Sequence, residues 1–218
     1  MTNRSQGAGI ARNYRRRSIF DEVAFIFPNA PVIPITINYG MRMPGWYDIL
    51  KLQEATSIED LSQKEDEAGI LKTRDYFHTL ISDEKTKKGI PSERIVIGGF
   101  SQGGAISVLS GLSCPTKLGG IFALSSYLPL RDKAKGMVPI DNPNKDTRIF
   151  MGHGVNDPLV KFDWGAKTAE ILKEWGYSVE FHSYHGLDHS ANLIELDDLE
   201  KYLAEMLPPT ADGQSSEL

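Results

Sequence analysis

The chain has 218 residues, of which 40% are hydrophobic and 24% are charged, a balance typical of one globular domain with a sizeable core. Its net charge of −5 argues against a nucleic-acid partner. Its single cysteine, Cys114, excludes an internal disulfide and favours a reducing compartment. No apolar run approaches the ~20 residues that span a bilayer, and no secretory signal is evident.

The first 18 residues contain five arginines and no acidic residue. A transit peptide has this character, and so does the exposed face of a helix. We favour the helix.

Strands and helices then alternate along the chain, which predicts an α/β fold with a mostly parallel sheet and helices on both faces. Residues 23–27 are expected to form a short buried strand, and Met41–Tyr47 a loop rich in large apolar side chains. The other predicted strands cover residues 94–98, 120–125, 148–151 and 178–184. The predicted helices cover residues 66–88, 162–175 and 194–207, and the polar tail 209–218 is expected to be disordered.

A serine lies at a glycine-rich turn between a predicted strand and a predicted helix. The sequence there is Gly99-Phe100-Ser101-Gln102-Gly103. This G-x-S-x-G pattern, in this strand–turn–helix context, is typical of a nucleophile elbow rather than of a solvated serine on a tight turn. The backbone N–H of Gln102 and the helix N-terminus would then favour negative charge beside the serine.

Two later loops follow predicted strand ends and carry acidic and histidine side chains. Parallel strands end at a common edge, where ligands of open α/β sheets bind. Ser101, Asp157 and His189 occur in the order serine, acid, histidine that α/β-hydrolases use. They are the candidate nucleophile, orienting acid and general base.

Alternatives to this triad exist within the same loops. His185 could replace His189 as the base, and Asp188 could replace Asp157, although a residue adjacent to the base rarely points at its ring. A metal site built from His182, His185, Asp188 and His189 matches no known zinc-ligand spacing. Of the remaining histidines, His78 is expected to be structural, and His153 precedes Asp157 in the chain, against the required order.

Several segments in the right order resemble the acyl-protein thioesterase and carboxylesterase family of α/β-hydrolases, with a fungal character. These segments extend from about residue 20 to residue 208. We expect residues 1–208 to form a single domain. The matching segments are Phe27–Pro31, Met43–Ile49, Gly89–Pro91, Gly98–Gly104, Leu124–Leu130, His153–Gly154 with Asp157–Val160, and Gly186–Ser190.

The resemblance implies hydrolysis of long-chain thioesters on S-acylated cysteines of proteins such as G-protein α subunits and Ras-type GTPases, often with weak lysophospholipase activity. It implies Ser101, Asp157 and His189 as the triad, Gln102 as an oxyanion donor and no cofactor. Members are cytoplasmic and sometimes also nuclear, so we expect at most transient contact with a membrane surface. Six apolar residues on loops at the catalytic edge are candidates for the acyl channel: Trp46, Tyr127, Leu128, Leu130, Leu159 and Val160.

The chain departs from the family pattern at its N-terminus. Members begin with a strand and a His-Gly-Leu-Gly-Asp loop, which supplies a second oxyanion N–H, whereas residues 7–17 here resemble the helix that follows that loop. We therefore expect an N-terminally incomplete scaffold and weakened turnover. Two other functions stay open: a small-molecule carboxylesterase, and an acyl-binding protein with impaired turnover.

Overall fold

The computed structural model describes residue 14, residues 17–52 and residues 55–210. Most of the helix predicted over residues 7–17, and residues 211–218 of the predicted tail, lie outside these ranges. Thr210, which the prediction assigned to the tail, donates hydrogen bonds from its backbone N–H and hydroxyl to the Glu22 carboxylate, at 3.1 and 3.0 Å.

Six strands and six α-helices are present in the described residues. The strands are β1 (Val32–Ile35), β2 (Met41–Pro44), β3 (Val96–Phe100), β4 (Gly120–Leu124), β5 (Ile149–Gly154) and β6 (Val179–Tyr184). The helices are α1 (Ile58–Ser62), α2 (Glu67–Lys88), α3 (Gln102–Leu112), α4 (Arg131–Ala134), α5 (Phe162–Glu174) and α6 (Leu193–Met206). Within the described ranges, no helix combines the length and apolarity needed to cross a membrane.

The central sheet is parallel, as predicted, with strand order β3-β4-β5-β6. Its four strands therefore end at one edge. β1 and β2 form a separate antiparallel hairpin. The hairpin was not predicted, because its second strand lies in the segment interpreted as a loop.

Helices cover both faces of this sheet. On one face, α3 is buried over residues 104–112 and packs in the largest hydrophobic cluster, with residues of α2 and α5. On the other face, Leu199, Tyr202 and Leu203 of α6 pack against Leu124 and Phe150. This two-sided burial is what a parallel sheet requires, and it confirms the predicted fold class.

The strand expected over residues 23–27 is wrong: this segment is irregular, and Ile26 and Phe27 are 52% and 40% exposed. A strand needs a neighbouring strand to bond its backbone. Within the described ranges, this apolar segment has no strand beside it. Its one well-packed ring, Phe25, contacts Tyr14 and Phe20 instead.

Candidate active site

Ser101 lies at a sharp turn between β3 and α3. Its φ of 56° is in the left-handed region, which costs a non-glycine residue of the order of 1–3 kcal/mol. Its backbone N–H donates to the Leu124 carbonyl at 2.8 Å, which fixes the turn to β4. A Cβ on Gly99 would come within 2.6 Å of the Gly103 backbone, so the turn can close this tightly only around glycine.

The loops after β5 and β6 bring two further polar side chains to Ser101. The His189 Nε2 atom lies 3.0 Å from the Ser101 hydroxyl oxygen, and His189 Nδ1 lies 2.7 Å from Asp157 Oδ2. Since the carboxylate accepts, Nδ1 carries the proton and Nε2 is left to accept from the hydroxyl. The three side chains form one continuous hydrogen-bonded chain.

Asp157 is held as a buried carboxylate, its side chain fully shielded from solvent. Burial by itself favours the neutral acid. However, the nearby imidazole of His153, together with hydrogen bonds from His189 and from the backbone N–H groups of Leu159 and Val160, holds the pKa of Asp157 well below its usual range. Asp157 therefore stays charged where it faces His189.

His153 also contacts this carboxylate, and sequence reasoning did not assign it any role. Its ring is 1% exposed, and its Nε2 atom lies 2.8 Å from the Val160 carbonyl oxygen and 3.5 Å from Asp157 Oδ2. Its place before Asp157 in the chain excluded it as the general base, the one role for which the order of residues is informative. Its position four residues before Asp157, at the end of the strand that leads into the loop with the acid, was the available signal.

Gln102 has two connections to the site. As the first residue of α3 it has a backbone N–H without an acceptor inside the helix, beside the serine. Its side chain accepts from the Trp46 N–H at 2.8 Å and donates to the Tyr47 carbonyl at 2.7 Å. The side chain thus fixes the loop after β2 against the elbow, which the sequence did not indicate.

The six apolar residues proposed for an acyl channel do not lie in one cluster. Leu128 and Leu130 are buried in the main core, whereas Tyr127 and Val160 pack with Trp164 in a separate cluster near the Asp157 loop. Trp46 packs against Tyr76 and Phe77 of α2, and Leu159 is 37% exposed.

The alternative side chains lie away from the hydrogen-bonded chain. His185 and Asp188 are exposed, and His182 stacks on Phe150. His78 bonds the Ser110 carbonyl at 2.8 Å, far along α3 from Ser101. In the part of the chain that the structure describes, no three His, Cys, Asp or Glu side chains are grouped to hold a metal ion.

A serine bonded to an imidazole, itself bonded to a buried carboxylate, can carry out acyl transfer to the hydroxyl. In this structure the three hydrogen-bonded side chains lie at the carboxyl edge of a parallel sheet, and the serine is on a strained strand–helix turn. This arrangement defines an α/β-hydrolase. More narrowly, the protein belongs to the phospholipase/carboxylesterase family, whose family model matches residues 5–207. It is a hydrolytic enzyme.

Relatives and solved structures agree with this assignment. Acyl-protein thioesterase 1 of Aspergillus fumigatus is 53% identical, over 95% of this chain and 86% of the relative. Acyl-protein thioesterase 1 of Neurospora crassa is 54% identical, over 97% of this chain and 86% of the relative. The crystal structure of SOBER1 from Arabidopsis thaliana is similar with a TM-score of 0.76 and 33% identity, covering 84% of each chain.

Proposed function

We propose that this protein is an acyl-protein thioesterase that removes long-chain acyl groups from S-acylated cysteines, with Ser101 as nucleophile. The observation that carries the proposal is the continuous chain from the Ser101 hydroxyl through His189 to Asp157, at 3.0 and 2.7 Å. The substrate class is supported by the names of the fungal relatives, which are about half identical over most of the chain.

The first half-reaction transfers the acyl group to the enzyme. His189 Nε2 takes the Ser101 proton while the serine oxygen attacks the thioester carbonyl carbon. The oxyanion of the tetrahedral intermediate accepts from the Gln102 backbone N–H. The carbon–sulfur bond then breaks, and the cysteine sulfur leaves with the proton from His189.

The second half-reaction releases the acid. A water molecule gives a proton to His189 Nε2 and attacks the acyl-serine carbonyl, and the bond to Ser101 breaks as His189 returns the proton to the serine oxygen. Asp157 holds the Nδ1–H tautomer through both halves and stabilises the imidazolium that forms between them.

Protein partners follow from this activity. S-acylated proteins such as G-protein α subunits and Ras-type GTPases are the proposed substrates, on the strength of the family resemblance. Such substrates reside at membrane surfaces, so the proposed setting is the cytoplasm, and also the nucleus, with transient contact at the surface where the acyl chain is withdrawn.

A second candidate is hydrolysis of small oxygen esters, which the family description favours because it includes carboxylesterases. The same triad serves esters and thioesters. A palmitoyl-thioester peptide, its oxygen-ester analogue and a short-chain aryl ester distinguish the two functions when kcat/KM is compared for the same preparation.

We expect the palmitoyl-thioester peptide to be the preferred substrate, and Ser101→Ala to abolish its turnover. Ser125→Ala is a matched control, since Ser125 is also a buried serine directly after a strand, but its hydroxyl has no hydrogen-bond partner among the described residues. A clear preference for the short-chain ester would instead support the carboxylesterase.

A further inference from the structure

We propose that His153 is a positioning residue for the triad. It holds the Asp157 carboxylate in position to face His189, and its N–H partly neutralises the charge of that carboxylate. The inference rests on the proposed hydrolysis through Ser101 but not on which acyl substrate is cleaved. His153 is the buried imidazole that contacts Asp157 without facing Ser101.

The contacts of Asp157 divide between its two oxygens. Oδ1 accepts from the Leu159 and Val160 backbone N–H groups, each at 2.9 Å. Oδ2 faces two imidazoles, with His189 Nδ1 at 2.7 Å and His153 Nε2 at 3.5 Å. Loss of the His153 contact would leave His189 alone on Oδ2.

The tautomer of His153 follows from its shorter bond. Nε2 lies 2.8 Å from the Val160 carbonyl oxygen, which can only accept, so Nε2 carries the proton. That N–H donates to the Val160 carbonyl, and the same nitrogen lies 3.5 Å from Asp157 Oδ2. It therefore ties β5, which carries His153, to the loop that carries the acid.

The other side of the ring is fitted closely to α5. A Cβ on Gly165 would lie 2.2 Å from His153 Nδ1, and Phe162 packs edge-on against the ring at 5.9 Å. Nδ1 has no hydrogen-bond partner in the described residues. The helix thus fixes where the ring sits by shape, and leaves the Nε2–H as its one polar connection.

Few charged groups surround this arrangement. α5 contributes Phe162 and Gly165, and the acid loop contributes Leu159 and Val160, none of which titrates. The His189 loop contributes His189 itself and Asp188, which is exposed to solvent. Glu195 of α6, whose carboxyl packs against Gly152 of β5 and whose pKa burial raises to about 7, is unchanged in every variant used below, so its contribution cancels when their pH–rate profiles are compared.

Removal of the His153 N–H should have two effects. Asp157 loses part of its restraint, so the Ser101–His189 geometry loosens and kcat falls. The carboxylate also becomes a better acceptor for protonated His189, so the base holds its proton to higher pH and the acid limb of the rate profile moves upward.

The test compares pH–rate profiles with a generic activated ester. His153→Phe keeps a ring against Phe162 but removes both nitrogens. We expect kcat to fall about 10–100-fold and the acid limb to move up by about 0.5 pH unit. His153→Gln, which can return an N–H near the Nε2 position, should restore most of the rate and return the acid limb toward that of the wild type.

Two further variants separate positioning from folding. Gly165→Ala keeps every polar group but displaces the ring, and should lower kcat and move the acid limb upward as His153→Phe does. His78→Phe removes an imidazole bond of the same kind, 2.8 Å to a backbone carbonyl, away from the triad. It should alter the melting temperature without moving the acid limb.

Coincident acid limbs for wild type and His153→Phe would overturn the inference, as would an equal displacement in His78→Phe. If His153→Phe does not fold, the comparison of His153→Gln with Gly165→Ala decides in the same way. A wild-type enzyme that hydrolyses neither the activated ester nor a thioester through Ser101 would instead contradict the proposed function.

Discussion

Ser101 and Asp157 are each held in a state that an isolated residue would avoid. Ser101 has a positive φ, fixed by its bond to Leu124 and by the close approach of Gly99 to Gly103. Asp157 is a buried carboxylate kept charged by three hydrogen bonds and by the His153 ring 3.5 Å away. The strain and the burial are both useful for catalysis, because they present the hydroxyl and fix the histidine tautomer before substrate arrives.

The role of Asp157 as orienting acid predicts a large effect of Asp157→Asn. The amide cannot hold His189 in the Nδ1–H tautomer with the same strength, so kcat should fall by about 10³–10⁴ while the fold persists. Steady-state kinetics with circular dichroism check both parts. Asp188→Asn removes the exposed carboxylate next to His189 in the sequence and should retain nearly full activity. Loss of activity in Asp188→Asn with activity retained in Asp157→Asn would instead assign the role of orienting acid to Asp188.

Among the helices, α6 contains a side chain with an unusual environment. Asn192 caps the helix by accepting from the Glu195 N–H at 2.9 Å, and the Glu195 carboxyl then turns inward against Gly152 of β5. The residue is fully buried, and neither carboxyl oxygen has a hydrogen-bond partner in the described ranges. Burial raises the pKa of Glu195 to about 7.

This raised pKa predicts that Glu195 makes the folded state less stable as the pH rises. Below about pH 4.5 both states hold the proton; between about 4.5 and 7 only the folded state does, so stability falls across that window and then stays level. Across this window the free energy of unfolding falls by roughly 3 kcal/mol, since one pKa unit corresponds to about 1.4 kcal/mol. Glu195→Gln should remove this contribution and stabilise the protein at pH 8 relative to wild type.

Urea unfolding at pH 5 and pH 8 measures this difference. Glu200→Gln on the same helix is the control for the loss of one carboxylate, since Glu200 pairs with Arg17 instead of being buried without a hydrogen-bond partner. Glu65, whose pKa burial also raises to about 7, is present in both proteins and cancels in the comparison. Parallel pH dependence in wild type and Glu195→Gln would show that Glu195 is not the source.

At the scale of the whole molecule, the nucleophile strand lies at one side of the sheet. β3 pairs with β4, and in the part of the chain that the structure describes no strand pairs with its other side. Gly119 donates to the Ile95 carbonyl and Ser101 to the Leu124 carbonyl. Because backbone groups alternate along a strand, the N–H groups of Val96, Gly98 and Phe100 therefore point away from β4.

Hydrogen exchange tests this edge directly. The amides of Val96, Gly98 and Phe100 should exchange faster than those of Ile97 and Gly99, which bond β4 within the same strand. The alternation gives an internal control, since all five amides share one element. Equal protection along β3 would show that another strand pairs with this side.

The sequence was most informative where a pattern is local. The α2 helix, predicted over 66–88, spans Glu67–Lys88 and ends at Gly89 with φ of 71°, because apolar spacing and a C-terminal glycine are local signals. The G-x-S-x-G turn and the order of Ser101, Asp157 and His189 anticipated three side chains that the structure brings within hydrogen-bond distance.

What failed depended on neighbours that are distant in sequence. The apolar run 23–27 has strand composition, but pairing decides whether a strand forms. Two contacts were missed because they depend on how segments meet in space. They are the contact of His153 with Asp157 and the hydrogen bond from the Trp46 N–H, in the loop after β2, to the Gln102 side chain.

The central claim is that Ser101 becomes acylated by a thioester. Rapid quenching of the wild-type enzyme with a palmitoyl-thioester peptide, followed by peptide mass spectrometry, measures this directly. We predict a palmitoyl adduct on the peptide that contains Ser101, formed as fast as the peptide thiol is released, and neither adduct nor thiol release with Ser101→Ala. Thiol release by Ser101→Ala at the wild-type rate, or an adduct on another residue, would contradict the account.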